Sequence, residues 1–114
     1  MKYAVLIYGR EARDTFEALP EEQQQSILGE YRALSESPVT KGGAQLQPGA
    51  TATTVRVEDG ETLLTDGPYA ETKEVLGGFY LVDVDDLDVA LDFASKVPAA
   101  RMGGLVEVRP LVER

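Results

Sequence analysis

The sequence predicts an α+β fold in which helices cover one face of an antiparallel sheet. Residues 2–8 and 75–84 are apolar at successive positions, which is typical of strands that are covered on both faces. The segments that follow Pro20 and Asp86 instead repeat apolar residues at helical spacing. A strong two-residue hairpin signal lies between these halves, so strands and helices share one chain.

The first predicted helix begins at Pro20, whose missing N–H has no helical partner in a first turn. Glu21 and Glu22 follow and favour the positive end of the helix dipole. Ser37-Pro38 ends the helix, because the residue before a proline avoids the helical conformation. The apolar stripe consists of Ile27, Leu28, Tyr31 and Leu34.

The middle of the chain is predicted to hold a short strand and a hairpin. Lys41-Gly42-Gly43 is interpreted as a flexible connection into a weakly signalled strand at residues 44–47. Residues 51–65 are predicted as a hairpin around Asp59-Gly60. The predicted register pairs Val57 with Thr62, Val55 with Leu64, Arg56 with Leu63, and Glu58 with Glu61.

The last third of the chain supplies the strongest strand, residues 75–84, and then a second helix. Asp86 is a good N-cap for that helix, and Pro98 stops it. Residues 105–112 are predicted as the last strand, where Pro110 indicates an edge position or a strand end. The element order is that of a ferredoxin-like α+β sandwich with an inserted β-hairpin.

The two strands that are apolar on both faces also indicate that the sheet packs against another surface. Two helices can cover only one face of such a sheet, so something else must cover the second face. A second copy of the same sheet is the simplest cover. We therefore predict a homodimer in which sheet packs on sheet.

Composition limits the possible functions. The 114 residues are expected to form one domain, residues 1–114, with a net charge of −9. Because Lys and Arg form no cluster, we expect no nucleic-acid binding. No apolar run approaches the roughly 20 residues of a membrane helix. We expect a cytoplasmic protein without membrane contact.

Cysteine and histidine are absent, which removes several kinds of chemistry. No disulfide, thiolate nucleophile, histidine base or histidine metal ligand is possible. Since zinc and non-haem iron sites usually use these residues, we expect no metal and no cofactor. Any catalysis must use Asp, Glu, Lys, Tyr, Arg or backbone groups.

Residues 65–81 combine a turn signal, a polar cluster and an apolar strand. They resemble the signature of the YCII-related family, in the subgroup named for an Asp-Gly-Pro-Phe motif, which here reads Asp66-Gly67-Pro68-Tyr69. The likeness extends over nearly the whole chain. The other matching segments are residues 1–8, 51–56, 71–74, 77–80 and 106–110. The resemblance implies a dimeric α+β barrel and identifies a family, but it does not identify a reaction.

Two further family properties bear on function. Some YCII-like proteins carry a His and an Asp proposed as a catalytic pair, and this chain has no His, so that pair cannot be transferred. Proteins of the subgroup also occur beside, or fused to, extracytoplasmic-function sigma factors. The resemblance thus implies a sigma factor as a partner by family association only.

Five residues are candidates for a site. Asp66 is the candidate catalytic acceptor or general base, with Tyr69 and Lys73 as candidate ligand contacts; the alternative is that these residues form a turn and a solvated segment. Glu107 and Arg109 share one face of the last strand, because they alternate with valines. They are candidates to bind a carboxylate or phosphate, and the alternative is a salt bridge.

These observations leave three functional hypotheses. The first is binding of a small polar organic ligand, with metal-free acid/base chemistry. The second is a non-catalytic regulatory or interaction module. The third is a dimeric domain in which every polar motif is structural. The sequence leaves open whether the protein is an enzyme.

Overall fold

The computed structural model of the protein describes residues 1–67 and 75–113, which form a mixed α+β structure. The predicted α+β class is therefore confirmed. Short 3-10 turns lie at Gly49–Thr51 and Pro98–Arg101. The strands and helices are, in chain order, β1 (Lys2–Tyr8), α1 (Arg10–Glu17), α2 (Glu21–Ser35), β2 (Thr40–Gln45), β3 (Thr53–Glu58), β4 (Glu61–Asp66), β5 (Leu76–Asp83), α3 (Leu87–Ser95) and β6 (Leu105–Pro110).

Four strands form the main sheet in the order β2-β5-β1-β6, and each neighbouring pair is antiparallel. This arrangement is compatible with a ferredoxin-like α+β fold. Strands β3 and β4 form a separate two-stranded sheet, so the hairpin is inserted without joining the main sheet. Its predicted register is confirmed at every pair from Val55–Leu64 to Glu58–Glu61. The turn residues Asp59 and Gly60 both have positive φ, 51° and 79°, as a two-residue hairpin turn requires.

One face of the main sheet carries the core. Val5 of β1 and Val82 of β5 are almost fully buried there, with exposed fractions of 0% and 1%. Each of the three helices contributes to the same cluster, through Ala12 of α1, Leu34 of α2 and Phe93 of α3. Helix α3 begins as predicted, because the Asp86 side chain accepts a hydrogen bond from the Val89 N–H at 3.0 Å.

Two local predictions were wrong. Helix α1 was not predicted, because Ala12 is its only buried residue and it shows no long apolar stripe. Lys41, Gly42 and Gly43, predicted as a flexible connection, belong to β2, where Gly43 pairs with Tyr80. That strand is specified by pairing with β5, and local sequence carries no sign of the pairing.

The second face of the main sheet carries half-buried apolar side chains. They belong to β1 and β5 and alternate with the core residues of the same strands. The molecule is also less compact than usual: its radius of gyration is 15.9 Å, against roughly 13 Å expected for a compact domain of this length. We call this surface the open face; its apolar members include Ala4, Leu6, Tyr8, Phe79 and Leu81. In residues 1–67 and 75–113, every helix is too short or too polar to cross a membrane.

Candidate functional site

A cleft of about 720 Å³ opens between helices α1 and α2 and the core side of the sheet. Ligand pockets typically measure about 300–1,000 Å³, so the cleft has the size of a small-molecule site. Its walls combine apolar and polar side chains. The helical walls include Arg13, Phe16, Ile27, Leu28, Tyr31 and Arg32.

Glycines of β2 and β5 line the floor of the cleft. A Cβ added to Gly43 would lie 2.5 Å from the Phe79 carbonyl oxygen, and one added to Gly78 would lie 2.9 Å from the Ala44 carbonyl oxygen. Strands β2 and β5 therefore approach too closely at these positions for any side chain to fit. Because these glycines carry no side chain, they contribute only backbone to the lining of the cleft.

Gln24 fixes the corner between α1 and α2. Its side-chain amide donates to the backbone carbonyls of Phe16, Glu17 and Leu19 at 3.1–3.3 Å. Phe16 and Glu17 end α1 and Leu19 follows it; the Phe16 carbonyl also accepts a hydrogen bond from the Leu19 N–H at 3.1 Å. The contact holds α1 over the cleft, and with it the lining residues Arg13 and Phe16.

Two tyrosines meet at the wall formed by α2 and β5. The Tyr80 hydroxyl donates to the backbone carbonyl of Tyr31 at 2.9 Å, and the Ser35 hydroxyl donates to the same carbonyl at 3.1 Å. The Tyr80 ring packs edge-on against Phe93, with 5.6 Å between centroids and 81° between the ring planes. Tyr80 thus joins the hydrophobic core to the cleft.

Both tyrosines favour the neutral phenol. Burial raises the pKa of Tyr31, partly opposed by the backbone of Ala99 and the charge of Arg101. Burial also raises the pKa of Tyr80; the charge of Tyr31 raises it further, and a hydrogen bond with Ser35 lowers it. At neutral pH the two hydroxyls are therefore uncharged groups that can donate hydrogen bonds.

The charged residues that line the cleft are cationic. Arg13, Arg32 and Lys41 contribute to the lining, whereas no Asp or Glu of the described residues does. Arg13 forms a salt bridge with Glu17, with 3.2 Å between the Arg13 Nε and the Glu17 Oε1 atoms. The Lys41 ammonium donates a hydrogen bond to the Pro38 carbonyl at 3.1 Å. The cleft is thus a positive region in a chain whose net charge is −9.

Asp66, the candidate base, lies elsewhere. It is the exposed last residue of β4, paired with Thr53, and it does not line the cleft. Gly67 follows with a φ of 93°, and its N–H donates to the Ala52 carbonyl at 2.7 Å, next to the Thr53–Asp66 pair. The rest of the motif lies outside the described residues, so the turn stays a prediction. Tyr69 and Lys73 lie outside the described residues.

Glu107 and Arg109 lie on the open face, with the Arg109 Nη2 atom 2.5 Å from the Glu107 Oε1 atom. Their side chains are 42% and 67% exposed, and neither lines the cleft. Val106 and Val108 pack against the core, as predicted for the alternate positions. The structure therefore contains the predicted salt bridge, while a ligand contact at these two residues stays a prediction.

Sequence reasoning missed the residues that surround the cleft. Arg13 had no assigned place because α1 was not predicted, Tyr31 was assigned only to the apolar stripe of the first predicted helix, and Tyr80 only to the strand at residues 75–84. One available signal was the occurrence of two glycine pairs, Gly42-Gly43 and Gly77-Gly78, in strands that pair with each other. Glycines on two neighbouring strands leave those positions of the sheet without side chains.

Across the described part of the chain, no three acidic side chains converge in a way that would hold a metal ion. Comparison with known proteins gives a family. The model of the YCII-related domain matches residues 1–114. The chain belongs to the YCII-related family. This YCII-related protein is also similar to an uncharacterised protein of Rhizobium meliloti (strain 1021), with 42% identity over 116 residues, covering 97% of this chain and 92% of the relative.

Proposed function

We propose that this YCII-related protein binds a small polar organic ligand in the cleft between α1, α2 and the sheet. The observation that carries the proposal is a cleft of about 720 Å³ where tyrosine hydroxyls and cationic side chains meet an apolar wall. A mostly apolar pocket with a few convergent polar groups is the usual form of a small-molecule site.

Metal-free acid/base chemistry is the second part of the proposal. The neutral hydroxyl of Tyr31 can donate a hydrogen bond or a proton to a bound ligand, whereas the Tyr80 hydroxyl donates its proton to the Tyr31 carbonyl and can only accept. Because Asp66 does not line the cleft, we propose it as the base of a separate site at the end of β4. If a ligand of the protein is turned over, Asp66→Asn should abolish turnover and leave the oligomeric state unchanged. Unchanged turnover would remove Asp66 from this role.

The remaining candidates from the sequence lie outside the cleft lining and suggest a second location for a ligand. We propose that Glu107 and Arg109 face the interior of a dimer, and that Tyr69 and Lys73 contribute ligand contacts. Support comes from the position of Glu107 and Arg109 on the open face, beside Ala4 and Leu6 of β1. The Asp66-Gly67-Pro68-Tyr69 motif likewise supports the Asp-Gly-Pro-Phe subgroup of the family.

A homodimer with sheet packed on sheet, the dimeric α+β barrel, is the assembly that we propose. Its support is the open face, whose apolar side chains in β1 and β5 are only half-buried in one subunit. A twofold axis would pair this surface with its own copy, since a symmetric interface uses the same patch on both subunits. We also propose that each subunit has a ferredoxin-like fold.

A thermal-shift screen tests ligand binding. The panel contains small organic acids, phenols and phosphorylated metabolites, and a ligand at 100 times its dissociation constant should stabilise the protein by about 2.7 kcal/mol. Leu28→Trp should remove the shift, because the larger ring enters the cleft from α2. Leu91→Trp makes the same change at an exposed leucine of α3 outside the lining and should retain it. A hit that survives Leu28→Trp would place the ligand elsewhere.

The hairpin favours a second candidate function, that of an interaction module. Its side chains Val55, Val57 and Leu64 are 59%, 67% and 68% exposed, and an isolated two-stranded hairpin is only marginally stable in water. A protein partner that covers this apolar side would stabilise it, and family association points to an extracytoplasmic-function sigma factor. Purification of the tagged protein from its native host tests this. Recovery without any sigma factor would count against the partner.

A further inference from the structure

We infer that the ligand of the cleft is an organic anion with an apolar body, such as an aromatic or aliphatic carboxylate. The inference rests on the proposed binding function and adds the chemical class of the ligand. It follows from three properties of the cleft: the sign of its charged residues, the neutrality of its hydroxyls and the nature of its walls.

The charged residues that line the cleft favour an anion. Three cationic residues, Arg13, Arg32 and Lys41, line the cleft, and none of the described lining residues is acidic. The chain as a whole has 20 acidic and 11 basic residues, so this segregation runs against the composition. Opposite charge within a partly desolvated cleft attracts an anion more strongly than it would in bulk water.

Arg32 is the strongest of the three candidates for direct contact. It lies on α2 one residue after Tyr31 and makes no salt bridge with any described residue. Arg13 approaches from α1 and is exposed, although Glu17 shares its charge. Guanidinium groups bind carboxylates through two parallel hydrogen bonds, which suits a carboxylate ligand.

The hydroxyls and walls complete the argument. Because burial raises the pKa of Tyr31 and Tyr80, neither side chain places a negative charge in the cleft at neutral pH. Ile7, Phe16, Ile27, Leu28 and Met102 supply apolar surface. A ligand that matches both features carries its charge at one end and an apolar group at the other.

Isothermal titration calorimetry with matched pairs of compounds tests the inference. The probes are benzoate, naphthoate, phenylbutyrate and decanoate, each compared with its primary amide, at low and at physiological ionic strength. At least one carboxylate should bind about tenfold more tightly than its amide, a free-energy difference of about 1.4 kcal/mol. Higher ionic strength should weaken the binding of the carboxylate and leave the binding of the amide unchanged.

Charge-removing variants locate the effect. Arg32→Gln and Arg13→Gln should each weaken the carboxylate about fivefold, which corresponds to the upper end for a partly exposed charge. Arg56→Gln removes one positive charge from the hairpin, away from the cleft, and should change the affinity of neither the carboxylate nor the amide. This control separates a contact in the cleft from a change in net charge.

Each outcome is decisive. A tenfold preference for the carboxylate that falls to about twofold in Arg32→Gln and is kept in Arg56→Gln supports the inference. Binding of the amide as tightly as the acid, with loss of both in Leu28→Trp, overturns the inference and retains the proposed binding site. If no compound of any pair binds, both the inferred anionic ligand and the cleft as a site for such ligands are wrong.

Discussion

Adding one methyl group to two different glycines should change stability in opposite directions. Gly43 has a φ of +153°, and its added Cβ would lie 2.5 Å from the Phe79 carbonyl oxygen and 3.2 Å from the Tyr80 Cα. Both neighbours are backbone atoms of β5, so relief requires the β2–β5 pair to separate. Gly29 lies inside α2 with nothing within 4 Å of its added Cβ.

The magnitudes follow from these surroundings. A strained backbone costs about 1–3 kcal/mol and overpacking costs a similar amount. Gly43→Ala should therefore lower the free energy of unfolding by about 3 kcal/mol. Gly29→Ala should raise it by about 0.8–1.0 kcal/mol, the difference between the two residues in a helix interior. With a typical unfolding entropy for 114 residues, the midpoint Tm should fall by roughly 12 °C and rise by roughly 4 °C.

Differential scanning calorimetry of the two variants beside the parent protein measures both effects. The two substitutions are chemically identical, so any general effect of adding a methyl group cancels in the comparison. A Gly43→Ala variant that melts within roughly 4 °C of the parent would refute the close approach of β2 and β5. The glycine floor of the cleft would then have no structural basis.

Four further predictions concern the cleft, its corner and the assembly. Tyr80→Phe should lower the free energy of unfolding by about 0.5–1 kcal/mol in denaturant titrations, because the Tyr31 carbonyl keeps its bond from Ser35; a loss of several kcal/mol would contradict that sharing. Since burial raises the pKa of Tyr31 and Tyr80, the unfolded chain releases these protons first. The contribution of these two tyrosines to stability should therefore stay level below the ordinary tyrosine value of 10.0 and be lost above it, and Tyr31→Phe should reduce that loss in melts across alkaline pH. Gln24→Ala should cost about 1 kcal/mol because the Glu17 and Leu19 carbonyls lose the side-chain amide, and an unchanged Tm would rule out that corner contact. Leu81→Asp on the open face should give monomers by light scattering; if it stays dimeric, the sheet-on-sheet dimer is wrong.

Much of the fold was predictable because its signals are local. Asp59-Gly60 sets the hairpin register through the turn alone, and Asp86 caps α3 through contacts within three residues. Helix α1 escaped prediction because its buried surface is small; burial of Ala12 in the core and the corner at Gln24 hold it in place. Strand β2 escaped because its glycines become a strand only by pairing with β5.

The cleft depends on tertiary structure, so its residues were not predictable as a group. Tyr80 does belong to the core, as its sequence position indicated, yet its hydroxyl reaches the carbonyl of Tyr31, 49 residues away. Glu107 and Arg109 were correctly assigned to one strand face because strand alternation is a local rule. That same rule says nothing about which face holds a ligand.

The most direct test is to locate a bound ligand in solution. Isotope-labelled protein would be titrated with the tightest carboxylate of the calorimetric panel while the backbone amide resonances are followed by NMR. Binding in the cleft predicts the largest chemical-shift changes at Gly43, Gly78 and the α2 amides from Leu28 to Ser35. Changes confined to the hairpin or to β6, with the cleft amides unmoved, would contradict it.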